Sequence, residues 1–224
     1  MSKGIDMRKR ILLADPHKIL TEGLTIILSS QYEVIGSAGN GQELVVLAKE
    51  HHPDVVIAEI FIPLLNTLDA FQALRRDGVR SKLVALTTHL DVALAIEAFQ
   101  AGISGYVLKV AGKDEIFKAI ECALQGRTYL SVGFPVDLVS LLSEAARRSQ
   151  EGSHKLTPRQ REVLQLVAEG KTMKEVASVL AISTRTAESY KYEIMRMLGV
   201  HCNAELIHYA IRIGLIAVPR LQAA

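Results

Sequence analysis

Two helix-start signals and a tight turn fall within residues 157–200, and no other stretch of the chain restricts the fold so strongly. Thr157-Pro158-Arg159-Gln160 is a capping box with proline at the first helical position, where a missing N–H costs nothing. Val163, Leu164, Leu166 and Val167 then give an apolar stripe, and Gly170 ends the helix. Thr172-Met173-Lys174-Glu175 is a second capping box, opening a short helix with Val176, Ala177, Val179 and Leu180. Ala181-Ile182-Ser183 makes the turn, and Ser183 caps a third helix running to residue 198. Ala187, Ile194 and Leu198 form its apolar face. Arg185, Glu188, Ser189, Tyr192 and Arg196, at i, i+3, i+4, i+7 and i+11, form an opposite polar stripe. A polar stripe alone is usually a solvated face. Behind a helix and a short turn, it fits the helix-turn-helix plan, whose second helix enters the major groove of DNA.

Outward position assigns roles to these residues. Glu188, Ser189 and Tyr192 are expected at base edges, with Glu188 accepting from a cytosine amino group. Lys191 is expected at a phosphate, and Arg185 at either. Lys171, Thr172 and Lys174 lie where the preceding helix would approach the backbone. The start (LTPRQREVL), the turn (AISTRT) and the close (MLGV) resemble the LuxR-type DNA-binding domain of bacterial transcription regulators over this whole stretch. A last helix over 204–213, capped by Asn203, carries Leu206, Ile207, Ala210 and Ile213. Part of this set covers the core. The resemblance implies that Leu206, Ile207 and Ala210 also form a dimer contact, so that a homodimer would place two reading helices on successive half-sites of double-stranded DNA.

Charge follows the same division. From residue 155 onward there are 10 Lys and Arg against 6 Asp and Glu, while residues 1–154 carry 16 against 18, within a total of +2. The basic half is the one that would face phosphates.

The first half alternates between two periodicities. Short apolar runs at 11–14, 33–38, 55–58, 83–86 and 106–108 are separated by helical patterns, the last at 113–124. Five such units in series predict an α/β doubly wound, five-stranded parallel sheet, followed by the small all-α domain. The working site of such a sheet gathers at the carboxyl ends of its strands. Those ends supply Asp15, Glu59, Thr87 and Lys109, with Tyr106 inside the fifth strand.

In this order and spacing, residues 8–127 resemble the receiver domain of two-component response regulators, and the whole chain is similar to the NarL/FixJ family. The resemblance implies an acidic pair after the first strand for magnesium, a phosphoacceptor aspartate after the third, and Thr and Lys at the phosphate. It also implies an aromatic in the fifth strand that changes rotamer on activation. Thr87, Tyr106 and Lys109 keep that pattern, but Pro16 replaces the second acid and Glu59 replaces the phosphoacceptor. Proline offers magnesium no ligand, so binding is expected to be weak or absent. Glutamate reaches about 1.5 Å further than aspartate, and in-line transfer tolerates about an ångström. The following loop, Ile62-Pro63-Leu64-Leu65-Asn66-Thr67, has none of the glycines usual there. The expectation is an atypical receiver that works without phosphate, with Glu59 paired to Lys109 and Thr87. The alternatives are phosphorylation of Glu59, Asp54 or Asp15, a ligand or a sensor protein at the altered pocket, and an adaptor that no longer reads DNA.

The resulting division is a receiver-like domain at 1–127, a linker with a helix at 128–153, and the DNA-binding domain at 154–224. Residues 126–134 read as turn and 135–148 as the linker helix. No apolar run reaches the length of a membrane span and no secretion signal is present, so a cytoplasmic protein is expected. Cys122 and Cys202 read as free thiols. His17, His51, His52, His89 and His201 show no zinc or nucleophile spacing, and an enzyme is not expected.

Overall fold

The computed structural model describes residues 8–134 and 156–217. The expected linker helix lies outside the described residues. In the first half the elements are β1 (Arg10–Ala14), α1 (Lys18–Leu28), β2 (Glu33–Ala38), α2 (Gly41–His51), β3 (Val55–Ala58), α3 (Thr67–Arg76), β4 (Lys82–Thr87), α4 (Val92–Gln100), β5 (Gly105–Leu108), α5 (Lys113–Leu124) and β6 (Tyr129–Leu130). The strands pair in the order β2-β1-β3-β4-β5-β6, all in parallel.

Strand pleat explains why β3 is apolar throughout. Val56 and Ala58 enter the core layer under α2, α3 and α4, while Val55 and Ile57 enter the layer under α1 and α5. Both faces are covered, so every position is buried. The order of strands reverses between β1 and β3, and the crevice at their carboxyl ends is where Asp15 and Glu59 emerge.

The sheet has six strands rather than five. Residues 129–130 pair with β5, fixed by Tyr129 N–H to Ser104 O (2.9 Å) and Ser131 N–H to Tyr106 O (2.9 Å). Two residues carry no periodicity, so only the tertiary pairing reveals this strand.

The second half contains α6 (Pro158–Ala168), α7 (Met173–Val179), α8 (Thr184–Leu198) and α9 (Asn203–Arg212). Both capping boxes are formed, and Ser183 accepts from Thr186 N–H at 3.0 Å. The core gathers Val163, Leu164, Leu166, Val176, Ala187, Ile194, Leu206 and Ala210. Two expectations change here. Cys202, not Asn203, is the cap position of α9, and Glu205 instead accepts from His201 N–H. Leu206 and Ala210 are 1% and 0% exposed, buried inside this small core. Of the three positions expected at a dimer contact, Ile207 alone keeps part of its side chain outside.

Candidate functional site

Parallel strands β1, β3 and β5 end at the same rim of the sheet, with β4 between the last two, and the residues that follow them bring Asp15, Glu59 and Lys109 together. The Lys109 ammonium lies 2.5 Å from Asp15 Oδ2 and 2.9 Å from Glu59 Oε2, with all three side chains at most 13% exposed. Burial alone would push this ammonium down. The bond to Asp15 and the attraction of Glu59 outweigh it and hold the lysine above its ordinary value. The other Glu59 oxygen accepts from Ile60 N–H (2.7 Å) and Phe61 N–H (3.4 Å). The Thr67 hydroxyl donates to Glu59 O at 2.6 Å.

Thr87 departs from expectation. Its hydroxyl meets His89 Nδ1 at 3.1 Å and accepts from His89 N–H at 3.3 Å, so it serves the loop after β4 and not Glu59. Tyr106 is fully buried, and its hydroxyl donates to His89 O at 2.7 Å. Desolvation, with the nearby Asp91 and Glu59 charges, pushes that phenol far above its ordinary range. His17 places Nδ1 2.8 Å from Asp15 Oδ1. Sequence spacing missed His17 and His89 because they sit three residues past the end of β1 and two past the end of β4, in loops whose path the sequence does not reveal. Asp54, an alternative acceptor, lies at the amino ends of the strands, opposite the pocket, bound by Lys9 and by Arg10 N–H at 2.9 Å each.

These residues do not fit magnesium. Asp15 and Glu59 both spend oxygens on one ammonium, and Pro16 has no side-chain oxygen. Among the described residues no three acidic, histidine or cysteine groups converge on a metal position.

The second candidate surface is α8. Arg185, Glu188, Ser189, Tyr192 and Arg196 are all exposed on one side, Tyr192 to 69%, while Ala187 and Ile194 are buried on the other. Lys191 flanks the stripe and is half-buried. Ser189 turns its hydroxyl back to Arg185 O at 3.0 Å. Lys174 is exposed and Lys171 half-buried at the start of α7, whereas the Thr172 hydroxyl is engaged by Glu175 at 2.7 Å.

The two halves touch along a seam that the sequence does not announce. Arg161 of α6 grips Asp69 of α3 through Nε at 2.9 and 3.1 Å and approaches Glu97 of α4 at 3.7 Å. Desolvation raises the Glu97 carboxyl above its ordinary value, with Asp69 adding to the shift and Arg161 opposing it. Desolvation also raises Glu169, against the hydrogen bonds of Gln165 and Leu64 N–H and the charge of Lys171.

The family model for the response regulator receiver domain matches residues 11–121, and that for bacterial regulatory proteins of the luxR family matches residues 154–210. Over 210 residues the chain is 34% identical to the transcriptional regulatory protein MctR of Rhizobium johnstonii, spanning 93% of this chain and 95% of that protein. It is 28% identical to the response regulator UvrY of Escherichia coli, spanning 95% and 98%. A solved structure of RcsB from Salmonella enterica serovar Typhimurium, bound to promoter rprA in the presence of phosphomimetic BeF3-, matches with TM-score 0.57 and 26% identity, covering 90% of this chain and 98% of that one. Among the described residues no helix is long and apolar enough to cross a membrane.

Proposed function

We propose that this chain, which belongs to the response regulators built from a receiver and a luxR-family DNA-binding half, is a transcription regulator whose receiver signals without a phosphoryl group. The observation that carries the reading is the Lys109 ammonium held between Asp15 and Glu59, with Glu59 also bonded to the backbone of the loop it opens. The lysine that resembles a phosphate contact already has an anion. The longer glutamate side chain supplies it, and the pair is shielded enough for a few kcal/mol of attraction to bias a two-state element.

The output is sequence-selective binding of double-stranded DNA through the exposed stripe of α8. Binding as a homodimer would follow from the multiplied affinity of two half-sites. Transcription regulation, rather than catalysis, is what MctR is named for.

The direct test uses the purified full-length protein with a low-molecular-weight phosphodonor and labelled phosphate. No label is incorporated, and selective binding to fragmented DNA of its own source is the same with and without donor. Stable incorporation together with tightened binding would defeat the proposal.

Roles on α8 separate in the same assay. Glu188→Ala should alter base preference at one position, a discrimination of about 1–3 kcal/mol. Lys191→Ala should weaken binding to every sequence and reduce the salt slope by about one. If both act alike on all sequences, the division of roles fails.

A further inference from the structure

Residues 60–67 lead from Glu59, just past β3, into the first residue of α3, and three parts of the molecule hold them. At the inner end Glu59 accepts from the Ile60 and Phe61 amides, and Thr67 donates back to Glu59 O. On one flank the loop lies on the start of α2. Gly41 N–H donates to Pro63 O at 3.0 Å, and a Cβ at Gly41 would fall 1.8 Å from Leu65 O, so only glycine allows this approach.

The outer edge is held by the DNA-binding half. Gln165 of α6 is 2% exposed, accepts from Asn66 N–H through Oε1 at 2.8 Å, and donates through Nε2 to Ile62 O at 3.2 Å and Glu169 Oε1 at 2.7 Å. Glu169 Oε1 accepts from Leu64 N–H at 3.2 Å. Asn66 Nδ2 donates to Gly214 O and Leu215 O, both at 3.4 Å. Leu64 adopts φ +68, a conformation that costs a branched-chain residue strain, and its side chain packs on the core of the second half. The loop gives up glycine here and gains an apolar contact across the seam.

We propose that residues 60–67 are a latch, and that Gln165 is the positioning residue through which the Glu59–Lys109 pair governs docking of the DNA-binding half. The chemistry requires an amide at this position. One atom accepts from a backbone N–H and the other donates to a backbone carbonyl, so glutamate would face Ile62 O with an oxygen and alanine would leave both groups unpaired. The α8 stripe stays exposed while the latch is closed. The latch therefore sets the orientation of the reading helix and does not cover it. This coupling goes beyond the phosphate-free reading and holds whether or not the receiver accepts phosphate.

The Asn66 and Leu64 amides report the latch directly, because side chains of the other half hold them. Amide hydrogen exchange of the full-length chain is compared for the wild type, Gln165→Ala and Glu59→Gln. In Gln165→Ala both amides should exchange at least tenfold faster, while those of Val56 and Ile57 in β3 keep their rates. Glu59→Gln replaces one carboxylate oxygen with a donor facing Lys109 or the Ile60 amide, and should accelerate the same two amides at least threefold. Restoring an amide-to-backbone fit with Gln165→Asn should recover less than the wild-type protection, because the shorter arm falls short of Ile62 O. Unchanged protection in Gln165→Ala would show that the halves do not dock at this loop. Faster exchange in Gln165→Ala without any effect of Glu59→Gln would overturn the coupling and leave only a structural contact.

Discussion

Lys109→Met should lower the unfolding free energy of the receiver half by about 3–5 kcal/mol at neutral pH, the largest effect expected of any single substitution in the pocket. The wild-type ion cluster is not in itself a large source of stability, because desolvating three charges offsets much of their attraction. The asymmetry lies in the variant. Methionine fills a similar volume, but Asp15 and Glu59, 6% exposed each, are then left as like charges at the ends of adjacent strands. Urea denaturation of the variant and wild type at pH 7, followed by a receiver signal such as the Tyr106 environment, measures the deficit. A deficit under 1 kcal/mol at pH 7 would mean that Asp15 and Glu59 are not held together by Lys109. The double variant Lys109→Met with Glu59→Gln should recover most of the loss, since one buried charge then remains in place of two.

Ile194→Ala should cost the DNA-binding half about 2–5 kcal/mol and abolish selective DNA binding at temperatures where the wild type binds. Ile194 is 1% exposed on the inner face of α8, and with Ala187 it is the side of that helix sealed against α6 and α7. No residue of the polar stripe is touched by the substitution. The loss arises because a reading helix needs a rigid seat to hold Glu188, Ser189 and Tyr192 in register with base edges. Circular dichroism melting should resolve an early transition belonging to residues 156–217, with the receiver transition retained. Binding that persists at full strength would imply that α8 is held mainly by DNA rather than by its own core.

The sequence made local features legible wherever the physical cause is itself local. Both capping boxes, the Ser183 cap and the apolar face of α8 depend on side chains three or four residues from the groups they satisfy. The apolar run of β3 and the acids after β1 and β3 were equally plain, because a strand buried on both faces has no polar positions until it ends. Asn203 misled for the opposite reason: it is a good capping residue by type, yet the chain enters α9 one residue earlier, and Glu205 satisfies the exposed amide. The α9 apolar set also read ambiguously, since periodicity identifies a buried face but not whether a core or a second copy buries it.

Sequence alone therefore determined the two kinds of domain, the parallel sheet, the helix-turn-helix and the strand ends at which Asp15, Glu59 and Lys109 emerge, all through short-range periodicity and spacing. Tertiary structure alone decided which partners those residues choose. It gave Thr87 to His89 instead of Glu59, closed Lys109 onto two acids, and added β6 through two backbone hydrogen bonds. It also brought Gln165 to Asn66 across 99 positions of chain. A glutamine on a helix carries no sign of such a distant bond. Its meaning is fixed only when burial removes water and leaves one backbone amide and one carbonyl within reach.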